Sequence, residues 1–133
     1  MPRPPALSAI AVVRVAVAIL LGIHGGYRLF SGGVAPFGNY LGSRGLPFGL
    51  LIAWGITLFE MTGGVLLALR RSVIPVGFGF LLILVSGIVM VHAPEGWFVV
   101  GGGRNGVEFS ALLIVCLAAI LLAERQRGSG HRR

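Results

Sequence analysis

The chain contains no lysine, no aspartate, only one cysteine and only four acidic residues among its 133. Charged residues make up 11% of it, where a soluble domain carries about 25%. That shortage excludes an ordinary water-soluble domain. The lone cysteine, Cys116, excludes an intrachain disulfide and CxxC redox chemistry. Within its apolar run it is expected to behave as a small hydrophobe. With so few carboxylates the net charge is +7, carried by eleven arginines. Most of these sit at the ends of apolar segments, so no soluble basic face is left to contact phosphates, which argues against nucleic acid as a partner. Gly101, Gly103 and Gly106 match G-x-G-x-x-G, but no βαβ unit surrounds them and a flexible loop explains them.

What the chain does have is hydrophobic length. Hydrophobic residues make up 56% of it, and four apolar segments cover about 8–30, 47–69, 73–91 and 106–123. Each is close to the ~20 residues that cross a bilayer as a helix. The expected fold is therefore all-α: an integral membrane four-helix bundle, one transmembrane domain over 1–133, with the lipid bilayer as its surroundings. Pro47 suits a helix start, and Pro75 lies in the first turn of the third segment. The tight turn Arg70-Arg71-Ser72 makes the second and third segments antiparallel neighbours. Gly22 and Gly26 form a GxxxG pair that would admit another helix closely.

The connectors are less regular. Residues 31–46, SGGVAPFGNYLGSRGL, are broken by Gly and Pro, with Phe37, Tyr40 and Leu41 placed to dip into the interface. Trp97 and Phe98 resemble an interfacial aromatic belt. The tail 124–133 is polar and basic, and disorder is expected there. The lead MPRPPAL is read as retained, because Arg14 interrupts the apolar region and no small-residue cleavage site follows. Four crossings put both termini on one side. Seven arginines (3, 70, 71, 125, 127, 132 and 133) accompany them, against three (28, 44 and 104) on the other. By the positive-inside rule the termini are cytoplasmic, in a multi-pass protein of the cell membrane.

Polar groups inside such segments are costly and mark function or structure. Measured from the expected helix ends, Arg14 and Glu60 both lie in the inner half of the bilayer, roughly 9 and 14 Å deep. Their pairing would offset two desolvation penalties, either as part of a site or as a lock on helix register. The outer half holds His24, Tyr27 and Arg28 on the first segment, His92 ending the third and Glu108 opening the fourth. Together they would combine titratable groups with a cationic anchor, although snorkelling alone also explains Arg28 and His92. His24, Glu60 and Glu108 are the candidate catalytic groups. Arg14, His24, Tyr27, Arg28 and His92 are the candidate cofactor-binding ones. Two histidines raise the question of bis-His haem, but His92 at a helix end argues against it. No metal site is expected, since Cys116 lies toward the opposite side from the histidines.

Four stretches resemble the DoxX-like family of small four-helix membrane proteins. They are Arg14 followed by GIHGGYRLF, LFEMTGGVLLAL around Glu60, VHAPEGWF, and GRNGVEFSALL. The resemblance covers about residues 10–124. It implies a four-helix membrane fold and a link to redox metabolism, as a subunit of quinone-linked sulfur oxidation or a membrane partner of oxidative-stress enzymes. Arg14, His24, Glu60, His92 and Glu108 match positions where the family tends to carry polar groups. The ending AERQRGSGHRR departs from the G-x-G and acidic stretch frequent in the family. The expected function is thus a redox-associated, quinone-linked membrane subunit with a soluble or membrane redox partner. Glu108 would stand with His24 and Arg28 at the mouth of an outer-leaflet cavity. The alternative is a non-catalytic anchor whose arginine-rich tail recruits a soluble protein. A small-solute transporter is a third reading, and would require a homo-oligomer.

Overall fold

The computed structural model of the chain describes residues 5–130. Its order is α1 (Pro5–Phe30), α2 (Val34–Ser43), α3 (Gly49–Ala68), α4 (Val73–Gly87) and α5 (Glu108–Gly130). A π turn over Ile88–His92 and a 3-10 turn over Ala93–Glu95 prolong α4. The architecture is all-α, with no strand among the described residues. Three stretches are long and apolar enough to cross a membrane: Ser8–Phe30, Gly49–Ala68 and Val73–Glu95. The chain is a multi-pass membrane protein.

Five helices stand where four were expected, because α2 forms inside the supposed connector. Pro36 is harmless in its first turn, and Val34, Gly38 and Leu41 bury one face. Gly38 meets the backbone of α3 directly: a Cβ there would lie 2.7 Å from the Leu50 Cα. The disorder expected over 124–133 is corrected for 124–130, where α5 continues; residues 131–133 lie outside the described residues. Glu, Arg and Gln are good helix formers, and two contacts hold the extension. Arg70 clasps Glu124 bidentately at 3.0 Å through Nε and 3.0 Å through Nη2. Arg125 lies over the Phe78 ring at 5.6 Å. The hydrogen-bonded Glu124 carboxylate raises the Arg70 guanidinium pKa above its ordinary value, so Arg70 stays charged at any accessible pH. Arg3, Arg132 and Arg133 lie outside the described residues.

Helices α1 and α3, α3 and α4, α4 and α5, and α5 and α1 pack pairwise, with α2 laid on α3. The main core gathers Val17 and Leu21 of α1, Leu67 of α3, Phe80 of α4 and Leu117 of α5. A smaller core joins Val34 and Leu41 of α2 to Ala53 of α3. Large apolar side chains also cover the outside, among them Val12, Ile19, Leu51, Val65, Leu82 and Val115. Helices apolar on both faces are buried in protein on one and in lipid on the other.

Helices α1 and α3 are antiparallel, and two glycines set their register. A Cβ on Gly25 would lie 2.8 Å from the Thr57 carbonyl oxygen and 2.9 Å from the Glu60 Cβ. A Cβ on Gly64 would lie 2.9 Å from the Ala18 carbonyl oxygen, with the Gly22 backbone beside it. The close approach therefore belongs to Gly25 and Gly64. The Cβ directions of Gly22 and Gly26 point into open space, so of the expected GxxxG pair only the Gly22 backbone lies at the contact, beside Gly64.

The turn after α3 is a Schellman motif. Arg71 N–H donates to the Leu66 carbonyl at 2.7 Å and Arg70 N–H to the Leu67 carbonyl at 3.1 Å. Arg70 takes the left-handed conformation, φ 58°, where glycine is usual. Its side chain is needed there for the clasp to Glu124.

Candidate functional site

Register decides which polar groups meet. Arg14 falls level with the end of α3, where its Nη1 donates to the carbonyls of Leu67 and Ala68 at 2.6 Å each. Those carbonyls belong to the last turn of α3: the Leu67 carbonyl also accepts from Arg70 N–H in the Schellman turn, and that of Ala68 accepts none of the turn's backbone bonds. Arg14 thus acts as a C-terminal cap supplied by a neighbouring helix. The expected Arg14–Glu60 pair does not form. Glu60 lies seven residues before Leu67 in α3, about 10 Å of helix rise away.

Glu60 pairs instead with Arg28. Arg28 Nη1 donates to Glu60 Oε2 at 2.7 Å. Only 18% of the Arg28 side chain and 6% of the Glu60 side chain remain accessible. The same Nη1 also donates to Thr57 Oγ1 at 3.2 Å, and that hydroxyl donates to the Ala53 carbonyl at 2.7 Å. The Phe37 ring of α2 covers the guanidinium carbon at 4.4 Å. Arg28 therefore turns inward from the end of α1 into a small polar centre, where snorkelling would have carried it outward. Gly25 permits this arrangement, since it lets the α3 backbone approach one turn below Arg28.

This centre forms part of the wall of a cavity of about 700 Å³. The cavity lies among the second half of α1, α2, the first half of α3, the end of α4 and the start of α5. Leu21, Phe37, Leu41, Ile52, Ile56, Leu84, Phe109 and Leu113 supply apolar lining. Its polar lining is sparse: His24, Arg28, Glu60, Ser86, His92, Asn105 and Ser110. His24 stacks on Phe109, with ring centroids 6.3 Å apart and planes inclined by 17°. His92 Nδ1 lies 2.8 Å from the Asn105 carbonyl oxygen. A carbonyl only accepts, so Nδ1 carries the hydrogen in this contact. The π turn places His92 here. It also leaves the Met90 carbonyl to accept from the Tyr40 hydroxyl at 2.8 Å, which ties α2 to the end of α4.

Of the sequence candidates, the structure brings His24, Arg28, Glu60 and His92 to one cavity. Tyr27 is 75% exposed and does not line it. Glu108 also lies outside the lining, which corrects its expected place at the mouth. Its Oε1 accepts from the Val99 and Val100 N–H groups at 2.7 and 3.1 Å, folding the 96–107 loop against the start of α5. Thr57 and Phe37 were not among the candidates. Thr57 stands three residues before Glu60, on the same helix face, and that spacing was a usable signal. Nothing in the sequence points from Phe37 to Arg28. No buried side-chain nitrogen or oxygen lacks a hydrogen-bond partner among the described residues.

A family model, DoxX, matches residues 9–93. His24, Arg28, Thr57, Glu60 and His92 fall within the match; Glu108 and Phe109 fall beyond it. No curated protein and no solved structure gives a significant match to the chain.

Proposed function

The chain belongs to the DoxX family, and on that premise we propose that it is a redox-associated membrane subunit whose cavity holds a quinone-like lipid. The observation that carries this reading is the buried Arg28–Glu60 pair in the wall of a mostly apolar cavity, with His24 and His92 among its few other polar groups. A volume of about 700 Å³ suits a ring with part of a prenyl-like chain. Because Glu60 balances the charge of Arg28, the site favours a neutral ligand with hydrogen-bond acceptors over an anion. Arg28 retains N–H groups that point a donor at a ring carbonyl. His24 presents an imidazole and a stacking surface beside it. His92, anchored through Nδ1, keeps Nε2 free to exchange a proton with water near the loop. A quinone bound there would supply two-electron, two-proton chemistry, with its electrons exchanged with a soluble or membrane redox partner.

We read α1, α3, α4 and α5 as the four crossings of the cell membrane, with both termini cytoplasmic. Support comes from the seven-to-three division of arginines. The cavity then opens toward the outer half of the bilayer. The rival anchor reading draws on the extension of α5 to Gly130, which carries Arg125 and Arg127 beyond the apolar segment.

Lipid mass spectrometry of the protein purified in mild detergent tests the quinone reading. Quinone should accompany the wild type, and recovery should fall about tenfold in His24→Phe, the effect of one lost hydrogen bond. Wild-type protein carrying only phospholipid, and not binding an added short-chain quinone, would leave the anchor reading ahead.

A further inference from the structure

The opposite end of α1 carries a second cluster that the proposed quinone site does not use. A shallow cleft of about 30 Å³ lies between α1 and α5, lined by Arg14, Arg70 and Arg127, one carboxylate, Glu124, and apolar residues including Ala11 and Ile120. Three guanidinium groups face one carboxylate, so two positive charges stay uncompensated. Arg70 is the one engaged with Glu124. Arg14 donates through a single nitrogen, Nη1, to neutral carbonyls, and these leave its charge unbalanced. Arg127 makes no ion pair or side-chain hydrogen bond among the described residues.

We propose that Arg14, Arg70 and Arg127 form a headgroup site for the phosphodiester of an anionic phospholipid. The depth is right for it. Arg14 lies level with the last carbonyls of α3, where a membrane-crossing helix ends and the interface begins. Arg14 and Arg70 are held in place by their own hydrogen bonds, so little side-chain entropy remains to be lost on binding. Arg70 keeps its position at the cost of a left-handed backbone that a residue without a side-chain role would leave to glycine. The cleft is too small to enclose a free solute, but a phosphate can rest its oxygens on it. The acyl chains then run along the apolar, lipid-facing surface that the membrane-crossing helices present. Basic pockets between helices at a membrane surface recognise anionic headgroups in this way.

Native mass spectrometry tests the site with full-length protein in nonionic detergent and equal amounts of chain-matched phosphatidylglycerol and phosphatidylcholine. The wild type should retain phosphatidylglycerol preferentially. Arg127→Gln should reduce that preference about fivefold, the contribution of one basic side chain near anionic lipid. Arg127 lies near the end of α5 and caps nothing, so the variant should keep the wild-type helical circular dichroism. Arg44→Gln, at the end of α2, should leave the preference unchanged. Equal retention of the two lipids by the wild type, or an undiminished preference in Arg127→Gln, would overturn the proposal. Displacement of the lipid by millimolar inorganic phosphate would also overturn it, since the ligand would then be free phosphate.

Discussion

Replacing Glu60 by glutamine keeps the side chain's shape and removes its charge. Arg28 then faces the cavity with only the Thr57 hydroxyl, the Phe37 ring and a neutral amide for company. Removing one partner of a buried pair costs about 3–5 kcal/mol, because the other charge stays desolvated. Arg28 is 18% accessible and borders a cavity that water can enter, so the lower end, about 3 kcal/mol, is expected. The double variant Arg28→Leu with Glu60→Leu removes both charges and should recover most of that loss. Arg14→Leu should cost about 1.5–3 kcal/mol on its own, by removing the charged donor from the Ala68 carbonyl and leaving the Leu67 carbonyl only its bond from Arg70 N–H. Combined with Glu60→Gln it should be additive to within about 0.5 kcal/mol, since the two sites are separate. The assay is reversible unfolding in mixed micelles titrated with a denaturing detergent, followed by the fluorescence of Trp54 and Trp97. If Arg28 and Glu60 behave additively while Arg14 and Glu60 couple strongly, the register described above is refuted.

Gly25→Ala should destabilise the protein by about 1–3 kcal/mol through overpacking, because its Cβ would lie 2.8 Å from the Thr57 carbonyl oxygen. Gly22→Ala and Gly26→Ala face open space and should be neutral or slightly stabilising in the same unfolding assay. Reporter fusions after Gly45 and after Gly128 should report opposite sides of the membrane, the latter cytoplasmic. Both fusions on one side would contradict four crossings.

The membrane class and most of the helices were legible in the sequence. Long apolar segments with few charges can satisfy their backbone only as helices in lipid, and this holds whatever the neighbours are. The tight turn at Arg70 and the short list of intramembrane polar groups were legible for the same reason. Helix α2 was less so: ten residues with two glycines and a proline have little helical preference alone, and their stability comes from Gly38 meeting the α3 backbone. The helical extension of α5 was likewise hidden, since its contacts with Arg70 and Phe78 come from distant parts of the chain.

The partners of the polar groups were decided only by tertiary structure. Depth measured from helix ends put Arg14 opposite Glu60, but packed helices slide to the register at which their smallest residues meet. Gly25 against Thr57 and Glu60, with Gly64 against Ala18, set that register. It moves Arg14 about two helical turns away from Glu60 and brings Arg28 within reach. Glu108 shows the same limit, because its partners are backbone N–H groups of a loop, which carry no mark in the sequence. A residue's own chemistry states that it needs a partner. Which partner it meets depends on close approach between segments distant in the chain, and that approach is settled by packing.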